Sequence, residues 1–468
     1  MANPNFLIVA FAGQSHINPA FQLAGRLLRT GASVTFTTTT TAHRSMSGIQ
    51  ASDRLTFATY SDGAEEGPKL SNFSLEQHME DSARRCSEAV RQIIEASRGK
   101  GENFTCIFYT AVAPWVGEVA RCYDIPSGVL WIQPATLFEI YYYYINGYGD
   151  SITNESNDPS SPTQLPGLPP LTGRDVPTFL TPGSPFRFLF TLIEKEIQSL
   201  KGDRKARLLV NSFDALESEQ LNAIDELKMV AVGPLLPSLE GRGSSGASPG
   251  GDLFLGSRDY IEWLDTQPAA SVVYISFGSI SALSKPQKEE MARGLLSTGR
   301  PFLWVIKKAL IMDGGDGDGK QEESEDQLSC MEELQKQGMI VPWCSQVEVL
   351  SHPSVGCFVT HCGWNSTLES VVCGVPMVAF PLWADQLANA MLIQDVWKVG
   401  VRVSGNERGV VEGEELTRCL EMVLGGGERS EGMRGNAKRL KDAAREAGKE
   451  GGCADKNLKA LLEELVSG

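Results

Sequence analysis

The sequence lacks the long hydrophobic runs and the basic leader that mark membrane insertion and secretion. No apolar stretch approaches the roughly 20 residues that a membrane-spanning helix needs. The opening segment, MANPNFLIVAFAG, has no basic region ahead of an apolar run. The ten cysteines show no disulfide spacing, which favours a reducing compartment. We therefore expect a cytoplasmic protein without stable membrane insertion.

Positive charge is also scarce. Lys and Arg number 42 against 58 Asp and Glu, and the formal net charge is −16. This balance does not favour binding to nucleic acids or to anionic membranes, so we expect neither as a partner. An anionic substrate would have to be held by local hydrogen-bond donors.

Several motifs that would assign a different chemistry are missing. No GxGxxG follows the first apolar segment, Phe6–Phe11, which argues against a nucleotide-sugar epimerase or dehydrogenase. The sequence GASPG at 246–250 matches a hydrolase nucleophile elbow, but no strand precedes it and no helix follows.

No metal site is expected either. The Cys and His residues between Cys344 and Cys362 lack the CxxC pairs that are typical of zinc sites. Asp316-Gly-Asp318 resembles a metal-binding DxD, but it lies in an acidic, Gly-rich run and not at a strand end.

What is present is a regular alternation of short apolar strands and amphipathic helices. This alternation predicts an α/β protein with parallel sheets that are covered on both faces. A chain of 468 residues favours two domains, and the Gly-, Ser- and Pro-rich segment near 233–256 is typical of a linker. The second domain begins with a strand at Ser271–Phe277, and Ser279 just after it is a candidate phosphate contact.

The most informative stretch lies between residues 343 and 386. A short apolar strand ends at His361, turns at Gly363 and leads into a helix that opens near Asn365 and Ser366. Helix N-termini carry unpaired N–H groups and a positive dipole end, so this turn is suited to phosphate.

A second strand, Met377–Phe380, leads to Asp385 and Gln386. The two strand ends lie on the side where open α/β sheets bind ligands. Purely structural interpretations remain open: Ser366 and Glu369 also fit a capping box, and Trp343 and His361 also fit ordinary packing.

The stretch reads WCSQVEVLSHPSVGCFVTHCGWNSTLESVVCGVPMVAFPLWADQ. It closely resembles the donor-binding signature of the plant secondary-product glycosyltransferases, which use UDP-sugars. The resemblance implies that these residues hold the donor: Trp343, Cys344 (through its backbone) and Gln346 at the uridine, Glu369 at the ribose, His361, Trp364 (backbone), Asn365 and Ser366 at the diphosphate, and Asp385 and Gln386 at the sugar. Cys344 departs from the small Ala that is frequent in the family.

The resemblance also implies the GT-B fold, in which two Rossmann-like domains face each other across a cleft. The implied organisation is an acceptor-binding domain at 1–233, a linker at 234–256, a UDP-sugar-binding domain at 257–450, and a C-terminal helix at 451–468 that packs on the first domain. The implied reaction is inverting sugar transfer without a metal or a cofactor, with UDP-glucose as co-substrate. We expect a monomer whose partners are this donor and a small hydrophobic or aromatic acceptor.

His16 follows the first strand, in a loop that we expect to run up to a helix beginning at about Pro19. It matches the family position of the catalytic base, with Ser15 in place of the usual Gly. Thr110 stands where relatives have an Asp that orients and charges this base. A threonine can orient the His16 ring by a hydrogen bond but supplies no charge. The alternative is that Thr110 is a residue of this family branch with no bearing on the acceptor class.

The segments around Thr110-x-x-x-Pro114-Trp115 and the aromatic run after Trp131 are similar to one branch of the family. That branch contains anthocyanin 5-O-glucosyltransferases and enzymes that form glucose esters of carboxylic acids. The expected acceptor is a flavonoid or phenolic hydroxyl, or a carboxylic acid. Terpenoid or apocarotenoid acceptors, and a non-catalytic UDP-sugar-binding protein, remain alternatives.

Overall fold

A computed structural model describes most of the chain, namely residues 3–46, 51–63, 75–153, 162–203, 205–237, 259–278, 283–306 and 328–467. Four features of the sequence analysis lie outside these residues: Ser279, the GASPG segment, the Asp316-Gly-Asp318 segment, and all but the first four residues of the predicted linker.

The N-terminal unit is built on a parallel sheet of seven strands in the order β3-β2-β1-β4-β5-β6-β7. These strands are short and largely buried, because helices cover the apolar faces of the sheet. The strands are β1 Asn5–Val9, β2 Ser33–Thr39, β3 Leu55–Tyr60, β4 Cys106–Thr110, β5 Ser127–Trp131, β6 Ala206–Val210 and β7 Met229–Ala231.

In the described residues, the α-helices between these strands are α1 Gln14–Arg29, α2 Thr40–Ser45, α3 Leu75–Gly99, α4 Pro114–Cys122, α5 Ala135–Tyr143, α6 Gly149–Thr153, α7 Arg187–Gly202 and α8 Asp214–Glu217. Shorter pieces are a π-helical turn at Tyr144–Tyr148 and 3₁₀ turns at Gly173–Asp175 and Gln220–Asn222.

The C-terminal unit repeats the architecture with a parallel sheet of six strands in the order β10-β9-β8-β11-β12-β13. Its strands are β8 Val272–Ser276, β9 Phe302–Val305, β10 Met339–Val341, β11 Val355–Thr360, β12 Met377–Ala379 and β13 Gly400–Arg402. Its helices are α9 Asp259–Asp265, α10 Lys285–Thr298, α11 Met331–Gln337, α12 Gln346–Leu350, α13 Trp364–Cys373, α14 Gln386–Met391, a π-helical turn at Leu392–Val396, α15 Gly413–Leu424 and α16 Glu428–Gly448.

The last helix, α17 (Cys453–Ser467), belongs to the N-terminal unit. The contacts assign Met1–Phe254 and Ala444–Gly468 to the first unit and Leu255–Ala443 to the second, so the chain returns within α16. Four leucines of α17 join the core of the N-terminal sheet, and Asn457 donates to the carbonyl of Ala231 at 3.0 Å. In the part of the chain that the structure describes, no helix is both long and apolar enough to cross a membrane.

The first helix starts earlier than the sequence suggested, and this changes the position of His16. We expected a loop up to about Pro19, but α1 begins at Gln14, and His16 is its third residue. The reason is Gly13, which is extended at φ −151° and ψ 141°. Its carbonyl accepts from the Ile17 N–H at 2.9 Å, so helical hydrogen bonding begins ahead of the proline.

A buried carboxyl group supports the N-terminus of α5, which carries the aromatic run. Pro134 precedes this helix and has no side chain that caps it. The carboxylate of Glu217 instead accepts from the N–H groups of Ala135 and Thr136, both at 3.0 Å, and from the hydroxyl of Ser212 at 2.6 Å. A negative charge at a helix N-terminus is favourable, which offsets part of the cost of burying it.

A second buried carboxyl group, Glu196 of α7, accepts a hydrogen bond from the Tyr109 hydroxyl of β4 at 2.6 Å. Burial raises the pKa of Glu196 from its ordinary 4.5 to about 8. The folded protein therefore holds a proton that the unfolded chain releases above pH 4.5. The stability that Glu196 contributes is complete below that pH and is lost as pH rises through about 8.

We expect Glu196→Gln to remove this part of the pH dependence, because an amide keeps the acceptor for Tyr109 and does not titrate. Between pH 5 and 8 the melting temperature of the wild type should fall by roughly a few degrees more than that of the variant. Glu194→Gln on the same helix, at a partly exposed position, is the control and should follow the wild type. Parallel wild-type and Glu196→Gln curves in calorimetry across this range would contradict the assignment.

Candidate active site

The strand ends of the C-terminal sheet bring the predicted donor residues to one edge. Thr360 of β11 pairs with Ala379 of β12 and with Ser276 of β8, so the loops after all three strands leave from the same edge. His361 follows β11 directly, and Asp385 lies in the loop after β12. Parallel pairing therefore places together side chains that are separated in the sequence.

The first turn of α13 provides backbone N–H groups that can donate hydrogen bonds. Gly363 is the residue before the helix, and no side chain caps this end. The first N–H groups of a helix have no partner within it, and they carry the positive end of the helix dipole. The N-terminus of α13 is therefore suited to an anion such as a diphosphate. Asn365 is partly exposed here, whereas Trp364 is buried and its ring lies 6.1 Å from that of Trp397.

The backbones of two glycines pass close to the imidazole ring of His361. A β-carbon at Gly363 would lie 2.5 Å from His361 Nε2, and one at Gly278 would lie 2.7 Å from the same ring. Gly278 also has φ +73°, in the left-handed region that favours glycine. Any larger residue at either position would have to displace the ring.

Gln346 joins the side chains predicted at the ribose and the diphosphate. Its Nε2 donates to Glu369 Oε2 at 2.5 Å and to Ser366 Oγ at 2.8 Å, and its Oε1 accepts from the Tyr274 hydroxyl at 3.2 Å. The capping box that Ser366 and Glu369 might have formed is absent, because α13 begins two residues before Ser366. Both side chains instead face Gln346.

The residues before α12 differ in exposure. Trp343 is partly exposed. Cys344 is buried, and its Sγ lies 3.5 Å from the Tyr274 hydroxyl. The Cys344 thiol thus packs inward, which agrees with an expected role for its backbone only.

The predicted sugar-binding pair is held by local hydrogen bonds. Gln386 Oε1 accepts from the N–H groups of Leu382 and Trp383 at 2.9 and 3.1 Å. Burial raises the pKa of Asp385 to about 6, and a hydrogen bond from Asn389 opposes the rise. At neutral pH the carboxylate is ionised and can accept from hydroxyl groups.

His16 and Thr110 lie in the N-terminal unit, where β1 and β4 pair side by side. Thr110 Oγ1 accepts from the Phe11 N–H at 3.0 Å, and the Phe11 ring lies 5.2 Å from the His16 ring. Among the described residues, no hydrogen bond joins Thr110 to His16, so Thr110 does not orient the ring directly. The observed partner of the Thr110 hydroxyl is the backbone of Phe11.

The environment keeps His16 neutral. Desolvation lowers its pKa from 6.5 to about 4. Within the described residues, His16 Nδ1 is buried without a hydrogen-bond partner. A neutral imidazole at physiological pH is the form that can accept a proton from a substrate.

The sequence did not predict roles for Tyr274 or Asn389, nor the close approach of Gly278 and Gly363 to the His361 ring. The sequence spacing could have indicated a contact between Asn389 and Asp385, because the two residues are four positions apart and therefore lie on the same side of a helix. Nothing in the sequence indicated a role for Tyr274 at the site, since a tyrosine in an apolar strand is typical of a core.

Comparison with known proteins identifies the family. Residues 229–434 match the family described as UDP-glucoronosyl and UDP-glucosyl transferase. Crocetin glucosyltransferase, chloroplastic, of Gardenia jasminoides is 50% identical, and the match covers 99% of this chain and 97% of that protein. This chain belongs to the UDP-glycosyltransferase family. Phloretin 4'-O-glucosyltransferase of Malus domestica is also 50% identical, over 99% of this chain and 98% of that protein.

Further matches confirm the predicted branch and the GT-B fold. Anthocyanidin 3-O-glucoside 5-O-glucosyltransferase 1 of Perilla frutescens is 47% identical, with all of both chains covered. The crystal structure of Os79 from O. sativa in complex with UDP superposes with a TM-score of 0.82 at 30% identity, over 98% of this chain and 100% of that one. The protein is thus a UDP-glycosyltransferase with two Rossmann-like units.

The packing of His361 gives a test of the UDP-glycosyltransferase site. Gly363 has φ −58° and ψ 143°, which alanine adopts without strain, so Gly363→Ala acts through the His361 ring alone. Because His361 is predicted to contact the diphosphate, we expect UDP affinity to fall roughly 10-fold.

A double-mutant cycle supplies the control. In a His361→Ala background the added methyl group meets no ring, and Gly363→Ala should change UDP affinity less than about 2-fold. Equal losses in both backgrounds, measured by calorimetry, would show that Gly363 acts independently of His361.

Proposed function

We propose that this protein is a UDP-glucose-dependent inverting O-glucosyltransferase that acts on a small plant metabolite. The observation that carries the proposal is the cluster of Gln346, Ser366 and Glu369 beside the uncapped N-terminus of α13. This cluster combines a carboxylate suited to a diol with N–H donors suited to an anion. The names of the three relatives, all glucosyltransferases, support glucose as the sugar.

In the proposed donor complex, Trp343 stacks on uracil, the backbone of Cys344 and the Gln346 side chain lie at the uridine, and Glu369 accepts the ribose hydroxyls. His361, Asn365, Ser366 and the backbone at Trp364 hold the diphosphate, and Ser279 is a further candidate there. Asp385 and Gln386 hold the glucose hydroxyls. We propose that no metal or cofactor takes part, since helix N–H groups and neutral donors can stabilise the leaving diphosphate.

In the proposed reaction, the acceptor oxygen attacks the anomeric carbon of glucose. The bond from that carbon to the β-phosphate oxygen breaks, and UDP leaves with the electron pair. His16 takes the proton of a hydroxyl acceptor as general base, whereas a carboxylate acceptor is already ionised and needs none. Because this is a single displacement, the configuration at the anomeric carbon is inverted.

The acceptor class is proposed from the relatives. Phenolic hydroxyls are supported by the phloretin and anthocyanidin enzymes, and a carboxylic acid or an apocarotenoid by the crocetin enzyme. Terpenoids are a second option.

We also propose that the protein is a monomer and that it is located in the cytoplasm. The ten cysteines are thiols, which suits a reducing compartment. Size-exclusion chromatography with light scattering, and a fluorescent fusion compared with chloroplast fluorescence, test these two points.

The function is tested by assaying UDP release and glucoside formation with a panel of acceptors. The panel contains phloretin, an anthocyanidin 3-O-glucoside, crocetin and a simple benzoic acid, each with UDP-glucose and UDP-galactose. Glucoside formation on at least one acceptor is expected, with glucose preferred. UDP binding without transfer to any acceptor would favour the non-catalytic alternative.

His16→Ala should cut transfer to a phenol by roughly 10²–10⁴-fold, because the hydroxyl loses its base. UDP affinity should stay within about 2-fold, since His16 is not among the proposed donor contacts. Transfer to a carboxylic acid should fall far less. The measurement is kcat/KM for one phenol and one acid in wild type and variant, and similar losses for both would contradict the role of general base.

We propose that Thr110 acts on His16 through Phe11. Thr110→Val keeps the shape but leaves the Phe11 N–H without its acceptor, so the Phe11 ring and the His16 ring should shift. We expect kcat for the phenol to fall about 3–10-fold with little change in UDP affinity. Thr110→Ser keeps the hydroxyl and should retain nearly full kcat. Equal activity of the Val and Ser variants would remove Thr110 from the mechanism.

A further inference from the structure

One buried side chain, Asn389 of α14, joins the two loops that carry the proposed diphosphate and sugar contacts. Its Nδ2 donates to the carbonyl of Cys362 at 2.8 Å and to Asp385 Oδ2 at 2.8 Å. Asn389 is fully buried. Cys362 lies directly after His361 in the loop before α13, and Asp385 ends the loop before α14. A single amide group therefore bridges both loops.

Each of these loops also contains a residue in a strained conformation. Cys362 has φ +65° and Ala384 has φ +58°, although neither is a glycine. Residues with a β-carbon adopt this region only at a cost in free energy, so the conformation persists only where the surrounding contacts enforce it. Such strain concentrates at ligand-binding loops. The contacts of Asn389 fall on Cys362 itself and on the residue after Ala384.

We propose that Asn389 is a positioning residue that holds the diphosphate loop and the sugar loop in one arrangement, so that the UDP and glucose portions of the donor bind as a unit. This inference rests on the proposed function. Asn389 itself is not a predicted donor contact, and its effect is transmitted through the Cys362 carbonyl and the Asp385 carboxylate.

The two hydrogen bonds that Asn389 donates use the two N–H groups of a side-chain amide. Both N–H groups are used, one on a buried carbonyl and one on a buried carboxylate. Leucine would leave both acceptors without a donor, and aspartate would place a second carboxyl group beside Asp385. The hydrogen bond to Asp385 also favours the ionised form, which is the form that accepts from sugar hydroxyls.

The experiment compares UDP affinity by calorimetry with the KM for UDP-glucose. Asn389→Leu and Asn389→Asp remove the bridge, and the second keeps the side-chain volume in case the first does not fold. Asp385→Asn alters the sugar contact but keeps an acceptor for Asn389. Asn436→Asp, at a partly exposed site of the same unit, is the control for the change of charge.

Both Asn389 variants should lower the affinity for UDP by about 3–10-fold, although Asn389 itself is not a proposed UDP contact. The KM for UDP-glucose should rise further. Asp385→Asn should raise the KM for UDP-glucose and leave UDP affinity within about 2-fold, and Asn436→Asp should change neither. Wild-type UDP affinity in both Asn389 variants would overturn the proposal.

A pH series separates positioning from a general effect on folding. In the wild type the KM for UDP-glucose should rise as pH falls through about 6, where Asp385 gains a proton. Without the hydrogen bond from Asn389 this rise should occur at a higher pH. Within the described residues, the ionisable group in electrostatic contact with Asp385 is the Cys362 thiol, whose pKa burial raises so that it stays neutral. Arg402 of β13 acts on that thiol. Lowered stability with an unmoved pH dependence would contradict the proposal.

Glu369→Ala distinguishes this inference from the proposed donor site. If Glu369→Ala leaves UDP affinity unchanged, the donor site itself is wrongly assigned. If Glu369→Ala weakens UDP binding and the Asn389 variants do not, the donor site stands and the positioning role of Asn389 fails.

Discussion

Parallel pairing of β8, β11 and β12 is the constraint on which the rest of the donor site depends. Because these strands run in one direction, their loops leave from a single edge, and Gly278, His361 and Asp385 come from three of them. The edge offers backbone donors at the uncapped end of α13. The same geometry requires two backbones to pass close to the His361 ring, which only glycine permits.

Buried polar groups give both units their precise internal order. In the N-terminal unit, Glu217 supports the start of α5 and Glu196 holds the Tyr109 hydroxyl. In the C-terminal unit, Gln346 and Asn389 each bridge two elements. Glu196, Glu217 and Asn389 are buried and Gln346 is partly buried. A polar side chain is costly to bury without partners, so each of the buried ones specifies the position of its partners. The resulting loops are pre-organised, which lowers the ordering cost of binding a charged donor.

Much of the fold could be predicted because its signals are local. The strands predicted at Ser271–Phe277 and Met377–Phe380 lie within one residue of their observed bounds, since short apolar runs between turns are typical of buried parallel strands. The start of α1 was missed because proline normally opens a helix, and nothing local shows that Gly13 already does so. The link between Thr110 and Phe11 was missed because its two atoms lie 99 positions apart.

The α/β class, the family and the residue types at the donor site could be predicted from the amino-acid sequence, because they depend on local periodicity and on one contiguous stretch. Which side chains meet depends on how the sheets assemble. Glu369 faces Gln346 instead of capping its own helix, and Asn389 reaches across to Cys362. These contacts join residues more than 20 positions apart, and the hydrogen-bonding needs of buried polar groups select them only once the sheets are assembled.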